Sequence, residues 1–207
     1  MSSVITRLTA LRNGGLRIEV NGAAFCVVDG VDWADFGLVK GDELPLEIGE
    51  ELLAAAERFK ARQSAAASLA MQDASSKGLE RKLRQKGISE EVARETVDRF
   101  VRLGFVQDEA YALRLANKLH EGKGYGRLRI AQELRAKGVE RELAEQVLEQ
   151  LPSDEDTLIL RIEKKYAGVD WSNRKERAAA VRGLLRYGFS YEEVSDVVRR
   201  LKGEELE

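Results

Sequence analysis

One cysteine, Cys26, and one histidine, His120, stand in a chain of 207 residues. A lone cysteine closes no disulfide within the chain and assembles no thiolate metal cluster, so a reducing compartment is expected. The sequence has no HExxH motif, no cysteine–histidine set and no glycine-framed nucleophile, and its carboxylates are scattered at helical-surface spacing. It is therefore expected to be no enzyme and to need no cofactor. Prolines are scarce too: Pro45 and Pro152 are the only two, each placed where the residue pattern changes character. No apolar run approaches the roughly 20 residues that cross a bilayer, and Met1–Arg7 lacks the basic-then-apolar order of a signal peptide. The expected location is the cytoplasm, away from membranes. Aromatic residues are also few, and Tyr111 and Tyr125 are the only tyrosines between residues 58 and 137. That is too sparse for a platform on which single-stranded nucleic acid stacks.

Net charge is nearly absent as well, at -2, but the average hides a segregation. Residues 1–57 sum to -6, residues 58–137 to +8 and residues 138–207 to -4. An anionic partner is expected to meet the middle of the chain.

Leu16, Ile18 and Val20 alternate with Arg17 and Glu19, the period of a half-buried strand. Asn21-Gly22 suits a type I′ turn, so Leu16–Val20 and Ala23–Val28 are predicted to pair as a hairpin. A third strand is expected from Val4–Ala10, with Phe25, Trp33 or Phe36 covering the apolar face. After Pro45 the period turns helical, with Leu52, Leu53, Ala56 and Phe59 on one predicted face.

The rest of the chain repeats itself. LERKLRQKGI around Gly87, IAQELRAKGV around Gly138 and AVRGLLRYGF around Gly188 align, with the glycines 51 and 50 residues apart. Leu83, Leu134 and Leu184 precede each glycine by four residues, and Ile88, Val139 and Phe189 follow it. A helix ending on a left-handed glycine, with the next apolar residue packed back on its last turn, accounts for this. Equivalence makes the three glycines structural, each expected to lose about 1 kcal/mol on substitution by alanine. Ser89 and Ser190 read as N-caps of the following helix, without a full capping box. An earlier helix is predicted in each copy: Glu50–Gln72, Glu109–Glu121 and Glu155–Tyr166.

The expected fold is therefore mainly α: an elongated, curved array of three three-helix repeats, nine helices in all, preceded by a small N-terminal β-hairpin unit. The segments are 1–46 for the β unit, then 47–103, 104–151 and 152–207 for the repeats.

Gly122-Lys123-Gly124-Tyr125-Gly126 lacks the spacing and the Ser or Thr of a phosphate loop and reads as an interhelix turn. The amides opening the next helix, with Arg127, are placed to meet a phosphate or a carboxylate. His120 is expected in an exposed last helical turn. Arg81, Lys82, Arg84 and Lys86 crowd one short helix, and Arg127, Arg129, Arg135 and Lys137 crowd its counterpart, with Tyr125 just before it. These nine are the candidate partner-binding residues. Glu133 lies four residues from both Arg129 and Lys137 and is positioned to pair with either.

The stretch Gly104–Gly138 resembles the central signature of the RecX family of recombination regulators. The resemblance rests on Val106 and Asp108 before a helix, the Gly124-x-Gly126 turn, and a basic helix ending in Leu134 and Gly138. One departure is Ser75-Ser76-Lys77-Gly78-Leu79, where the family often shows Arg-Ser then Glu-Leu. The resemblance implies a protein that binds the RecA nucleoprotein filament on single-stranded DNA, and a monomer is expected. It further implies restraint of RecA ATPase, strand exchange and coprotease activity, and so modulation of recombination, DNA repair and the SOS response. The alternative is a protein that binds single- or double-stranded DNA directly and competes with RecA for the strand.

Overall fold

The structure is a computed structural model and describes residues 3–201. The chain forms two compact units, Met1–Val106 and Gln107–Glu207, each taking in two of the four segments the sequence suggests. Their seam falls at Val106/Gln107 rather than at 103/104.

The first unit opens with an antiparallel sheet in the order β1 (Ile5–Ala10), β2 (Gly15–Val20), β3 (Ala23–Asp29). Asn21 (φ 52) and Gly22 (φ 82) both lie in the left-handed region, the geometry of the type I′ turn. The pairing slips between Ile18, opposite Cys26, and Glu19, opposite Ala24. This bulge leaves Phe25 as the extra residue, and Phe25 packs on the core beside Trp33 and Phe36. A short helix α1 (Gly30–Ala34) follows, capped by the Asp29 carboxylate on the Val31 amide, and its place had carried no helical signal.

Helix α2 (Leu46–Met71) is 26 residues long and serves two cores. Its first half places Leu52 and Ala55 against Ile5, Ile18 and Val28. Its second half places Ala61 and Ala65 against α3 (Ser76–Gln85) and α4 (Glu90–Arg102), through Leu79, Leu83 and Val97. One continuous helix thus fastens the β segment to the first repeat. Arg62 reinforces the join, bridging Asp29 at 3.0 Å and Asp32 at 3.2 Å. The buried stripe is rotated from the predicted one: Leu53 is 49% exposed, because the sheet lies on the Leu52–Ala55–Phe59 side. Gly15 admits the Phe59 ring, which a Cβ there would meet at 2.9 Å.

Cys26 sits half-buried in β3, and burial pushes its thiol up to about 11. With so little thiolate at neutral pH, alkylation of Cys26 by iodoacetamide is expected to run more than tenfold slower than that of a free cysteine. The difference should shrink as pH rises toward 10. Reaction at the free-thiol rate at pH 7.5 would contradict the placement.

The second unit holds two further trios. The first is α5 (Asp108–Asn117), α6 (Arg127–Ala136) and α7 (Arg141–Glu149), and the second is α8 (Asp154–Lys165), α9 (Arg174–Arg186) and α10 (Tyr191–Leu201). Ile130, Leu134 and Val147 centre one core, and Leu158, Leu184 and Phe189 centre the other.

All three repeat glycines are left-handed: Gly87 at φ 77, Gly138 at 87 and Gly188 at 93. The amides of Ile88 and Val139 return to the carbonyls of Leu83 and Leu134 at 3.2 and 3.0 Å, closing the last turn of α3 and of α6. The caps that open the helices differ from one repeat to the next. Ser190 and Glu193 form the full capping box that the sequence reading withheld, with Ser190 N–H donating to Glu193 Oε2 at 2.7 Å and Glu193 N–H to Ser190 Oγ at 3.1 Å. Ser89 makes no side-chain cap, and its amide donates to Glu57 Oε1 of α2 at 2.7 Å. Ser75, at the departure from the family pattern, caps α3 through Gly78 N–H at 3.0 Å.

Candidate functional site

The glycine turn before α6 is where the sequence left room for an anion. Five successive amides, Gly126 to Ile130, open a helix there, and their partners are all in the chain. Gly126 N–H donates to the Tyr187 carbonyl at 2.9 Å and Leu128 N–H to the Gly188 carbonyl at 3.1 Å. Arg127 N–H donates to Asp154 Oδ2 at 2.8 Å. Arg129 and Ile130 N–H close onto Gly126, each at 3.1 Å. The C-terminus of α9 therefore abuts the N-terminus of α6, negative dipole end to positive. The carboxylate that the turn was placed to meet is Asp154, and the amides have no vacancy for a phosphate.

This fit requires glycine on both sides. A Cβ on Gly126 would lie 2.6 Å from the Gly188 carbonyl carbon and 2.7 Å from the Phe189 nitrogen, and one on Gly188 would strike the backbone and Cβ of Arg129. Gly188 is thus both a helix cap and a docking surface, whereas a Cβ on Gly87 meets nothing within 4 Å. The equivalence expected of the repeat glycines holds for their backbone angles and fails for their surroundings.

Around the junction, Arg161 of α8 donates through Nε to the Gly124 carbonyl at 3.2 Å and through Nη2 to the Lys123 carbonyl at 2.5 Å. Its guanidinium lies 3.6 Å from the centre of the Tyr187 ring. Tyr187 in turn packs on Tyr125 at 6.0 Å, and Lys123 and Arg129 approach the Tyr125 ring at 5.6 and 5.7 Å. Tyr125 is a member of this internal stack.

His120 is 4% exposed, so the expected exposed last turn is wrong. Beyond α5 the chain continues through a π-helical turn, Lys118–Gly122, which rotates the imidazole inward. Its Nε2 lies 3.2 Å from Thr157 Oγ1, and its Nδ1 faces Asp154 Oδ1 at 3.8 Å. Neither Nδ1 nor Oδ1 has a hydrogen-bond partner. The hydroxyl on the imidazole is that of Thr157, and no group of three or more His, Cys, Asp or Glu side chains suited to a metal occurs among the described residues.

Asp154, 3% exposed, has its carboxyl pushed above the ordinary carboxylate range, first by burial and then by Glu193, against the pull of the Arg127 amide, His120 and the Arg127 charge. A folded carboxyl raised in this way holds its proton more tightly than the unfolded one. Its contribution to stability is complete at low pH and declines as pH climbs from the ordinary carboxylate range through the raised value. Asp154→Asn keeps an oxygen for the Arg127 amide and carries no buried charge. It is expected to match or exceed the parent in stability at pH 7, with the advantage vanishing toward pH 4. Asp154→Ala strands that amide and should lose about 1–3 kcal/mol. Urea melts across this range decide the matter, and a difference between parent and Asn variant that does not change with pH would refute the assignment.

The basic candidates fall into two groups by environment. In the first unit, Arg81 and Arg84 are exposed on α3, Lys86 is exposed at its C-cap and Lys82 is half-buried, with Arg84 paired to Glu90 at 3.1 Å and Lys86 Nζ 3.4 Å from Ser68 Oγ. In the second unit, Arg135 and Lys137 are exposed at the end of α6. Arg129 is paired to Glu133 at 2.7 Å. Arg127 is committed inward, with Nη2 donating to the carbonyls of Leu151 at 2.8 Å and Pro152 at 3.2 Å. Sequence reading missed Asp154, Arg161 and Tyr187 because their partners lie in the preceding repeat, beyond any local spacing rule.

Two family models match the chain: RecX, first three-helix domain, over residues 61–100, and RecX, second three-helix domain, over residues 108–148. A Regulatory protein RecX of Trichlorobacter lovleyi is 39% identical over 128 residues, covering 59% of this chain and 80% of that protein. One from Streptomyces coelicolor is 35% identical over 130 residues, covering 60% and 68%. The fold also superposes on a crystal structure of a regulatory protein RecX with a TM-score of 0.68 at 22% identity, covering 98% of this chain and 100% of that one. The RecX of Lactobacillus salivarius gives 0.62 at 23% identity, covering 70% and 97%. Two adjacent domain models, and relatives above 30% identity that this chain covers for more than two thirds of their length, place it in a family of regulators: the chain belongs to the RecX family.

Proposed function

We propose that this chain binds the RecA nucleoprotein filament on single-stranded DNA and restrains its ATPase, strand exchange and coprotease activity, so tempering recombination, repair and the SOS response in the cytoplasm. Family membership is the observation that carries the reading. The site geometry supports a binding role: the glycine turn and its buried His–Asp pair are consumed in joining helices, which leaves partner contact to the outer basic residues. Arg81, Lys82, Arg84 and Lys86 on and just after α3 are the contact residues of the first unit, and Arg129, Arg135 and Lys137 on and just after α6 are those of the second. Arg127 and Tyr125 serve the latter indirectly, by fixing the start of α6.

Titrating the purified protein into preformed filaments and following RecA ATP hydrolysis tests the reading. Hydrolysis should fall in a saturable way. The DNA-competition alternative predicts relief by added free single strands and a steep loss of effect with rising salt, because phosphate contacts release counterions. A mixed protein interface keeps a shallow slope.

A further inference from the structure

The third repeat carries a surface that the preceding account leaves unused. Helix α9 has 13 residues, against ten in each of its counterparts α3 and α6. Its three added residues, 174–176, bring Arg174, with Arg177 directly after them, and with α10 the helix bounds an open groove of about 550 Å³. The floor is apolar, built from Ala178, Val181, Val194 and Val198, with Leu185 (37% exposed) and Tyr191 (69% exposed) standing at its edges. Four arginines line it, Arg174, Arg177, Arg182 and Arg199, and no carboxylate does among the described residues. Two of these are partly engaged: Arg177 Nη1 reaches the Trp171 carbonyl at 3.4 Å, and Arg199 lies 3.6 Å from Asp196.

We propose that this groove is a docking site for an acidic amphipathic helix of a partner protein. From Arg174 to Leu185 the wall runs about 16 Å, or three helical turns, enough for anchors at i, i+4 and i+7 of a docked helix. The apolar floor takes those anchors, and the arginine rim pairs with flanking carboxylates in forked geometry. Nucleic acid fits less well on two counts. Residues 138–207 carry a formal charge of -4, so the groove is a local cationic spot in an acidic segment and lacks a long-range attracting field. Among the described residues Tyr191 is the only aromatic side chain lining it, which leaves successive bases no row of rings to stack on. The proposal does not rest on the RecA reading and is tested without RecA.

The probe is a fluorescein-labelled 14-residue helical peptide with leucines at i, i+4 and i+7 flanked by glutamates. The controls are the same peptide with lysine for every glutamate, one with serine for every leucine, and a labelled 15-nucleotide single strand. Anisotropy titrations with the full chain are expected to show the acidic amphipathic peptide binding at least tenfold tighter than either peptide control. Arg174→Glu with Arg182→Glu should abolish that preference, as should Leu185→Ser alone, with unchanged circular dichroism and melting. The proposal is overturned by equal binding of the serine control, by retention of affinity in the double variant, or by failure of the acidic peptide to bind at all. Displacement of the peptide by the single strand through the same arginines would reassign the groove to nucleic acid. Concentration-dependent mass of the unliganded chain, lost in the double variant, would reassign it to a second copy.

Discussion

Gly188→Ala is expected to cost about 3 kcal/mol or more of stability in the second unit, while Gly87→Ala costs about 1 kcal/mol. The two glycines share a left-handed cap, at φ 93 and φ 77, and that common term sets the smaller figure. The remainder at Gly188 is steric. Its added methyl would enter the backbone of Arg129, and to make room the α9 terminus must withdraw from α6, surrendering the bonds from Gly126 N–H to Tyr187 and from Leu128 N–H to Gly188. Those amides open a helix and have no intrahelical carbonyl to turn to, so their loss is not made good within α6. Gly126→Ala meets the same junction from the other side and should behave like Gly188→Ala. Urea melts of the three variants measure the contrast, and losses at Gly188 and Gly87 within about 0.5 kcal/mol of each other would contradict the junction.

What the sequence made legible is what local periodicity encodes. The alternation of Leu16, Ile18 and Val20 and the Asn21-Gly22 pair locate the hairpin, and the third strand closes on it as Ile5–Ala10. The recurring leucine-to-glycine interval, with the helix read ahead of each copy, locates nine helices in three trios, to which the structure adds, among the described residues, the short α1 and the π turn after α5. Features set by distant partners were not legible. The stripe of α2 turned because the sheet covers one side of it. His120 went inside because a π turn rotates it toward Thr157 and Asp154, more than 30 residues along the chain. The use of Arg127 is fixed by carbonyls at Leu151 and Pro152. No i, i+4 rule reaches that far, so a residue that reads as one of a basic cluster proves to be a brace.

That distinction governs the second large effect. Reversing Arg81, Lys86, Arg135 and Lys137 to glutamate is expected to weaken filament binding by more than tenfold with melting nearly unchanged, because these side chains are exposed on α3 and α6 or just beyond their ends. Arg127→Glu is expected to act differently. Removing its guanidinium strips two backbone carbonyls of a donor, and the new carboxylate faces Asp154, so a stability loss of about 2 kcal/mol should accompany any loss of binding. A quadruple variant that includes Arg127 and Arg129 would therefore confuse folding with contact. Weakened binding from Arg127→Glu with an unchanged melt would return that residue to the contact surface.

The central claim, that this RecX-family chain engages the filament itself, is tested most directly by sedimentation. RecA is assembled on a single-stranded oligonucleotide with a slowly hydrolysed ATP analogue, the chain is added at physiological salt, and the pellet is compared with that of the same DNA held on beads without RecA. Saturable recovery with the filament, little recovery with DNA alone and loss of recovery in the Arg81, Lys86, Arg135 and Lys137 reversal is the predicted result. Equal recovery on bare DNA, or none on the filament, would contradict it.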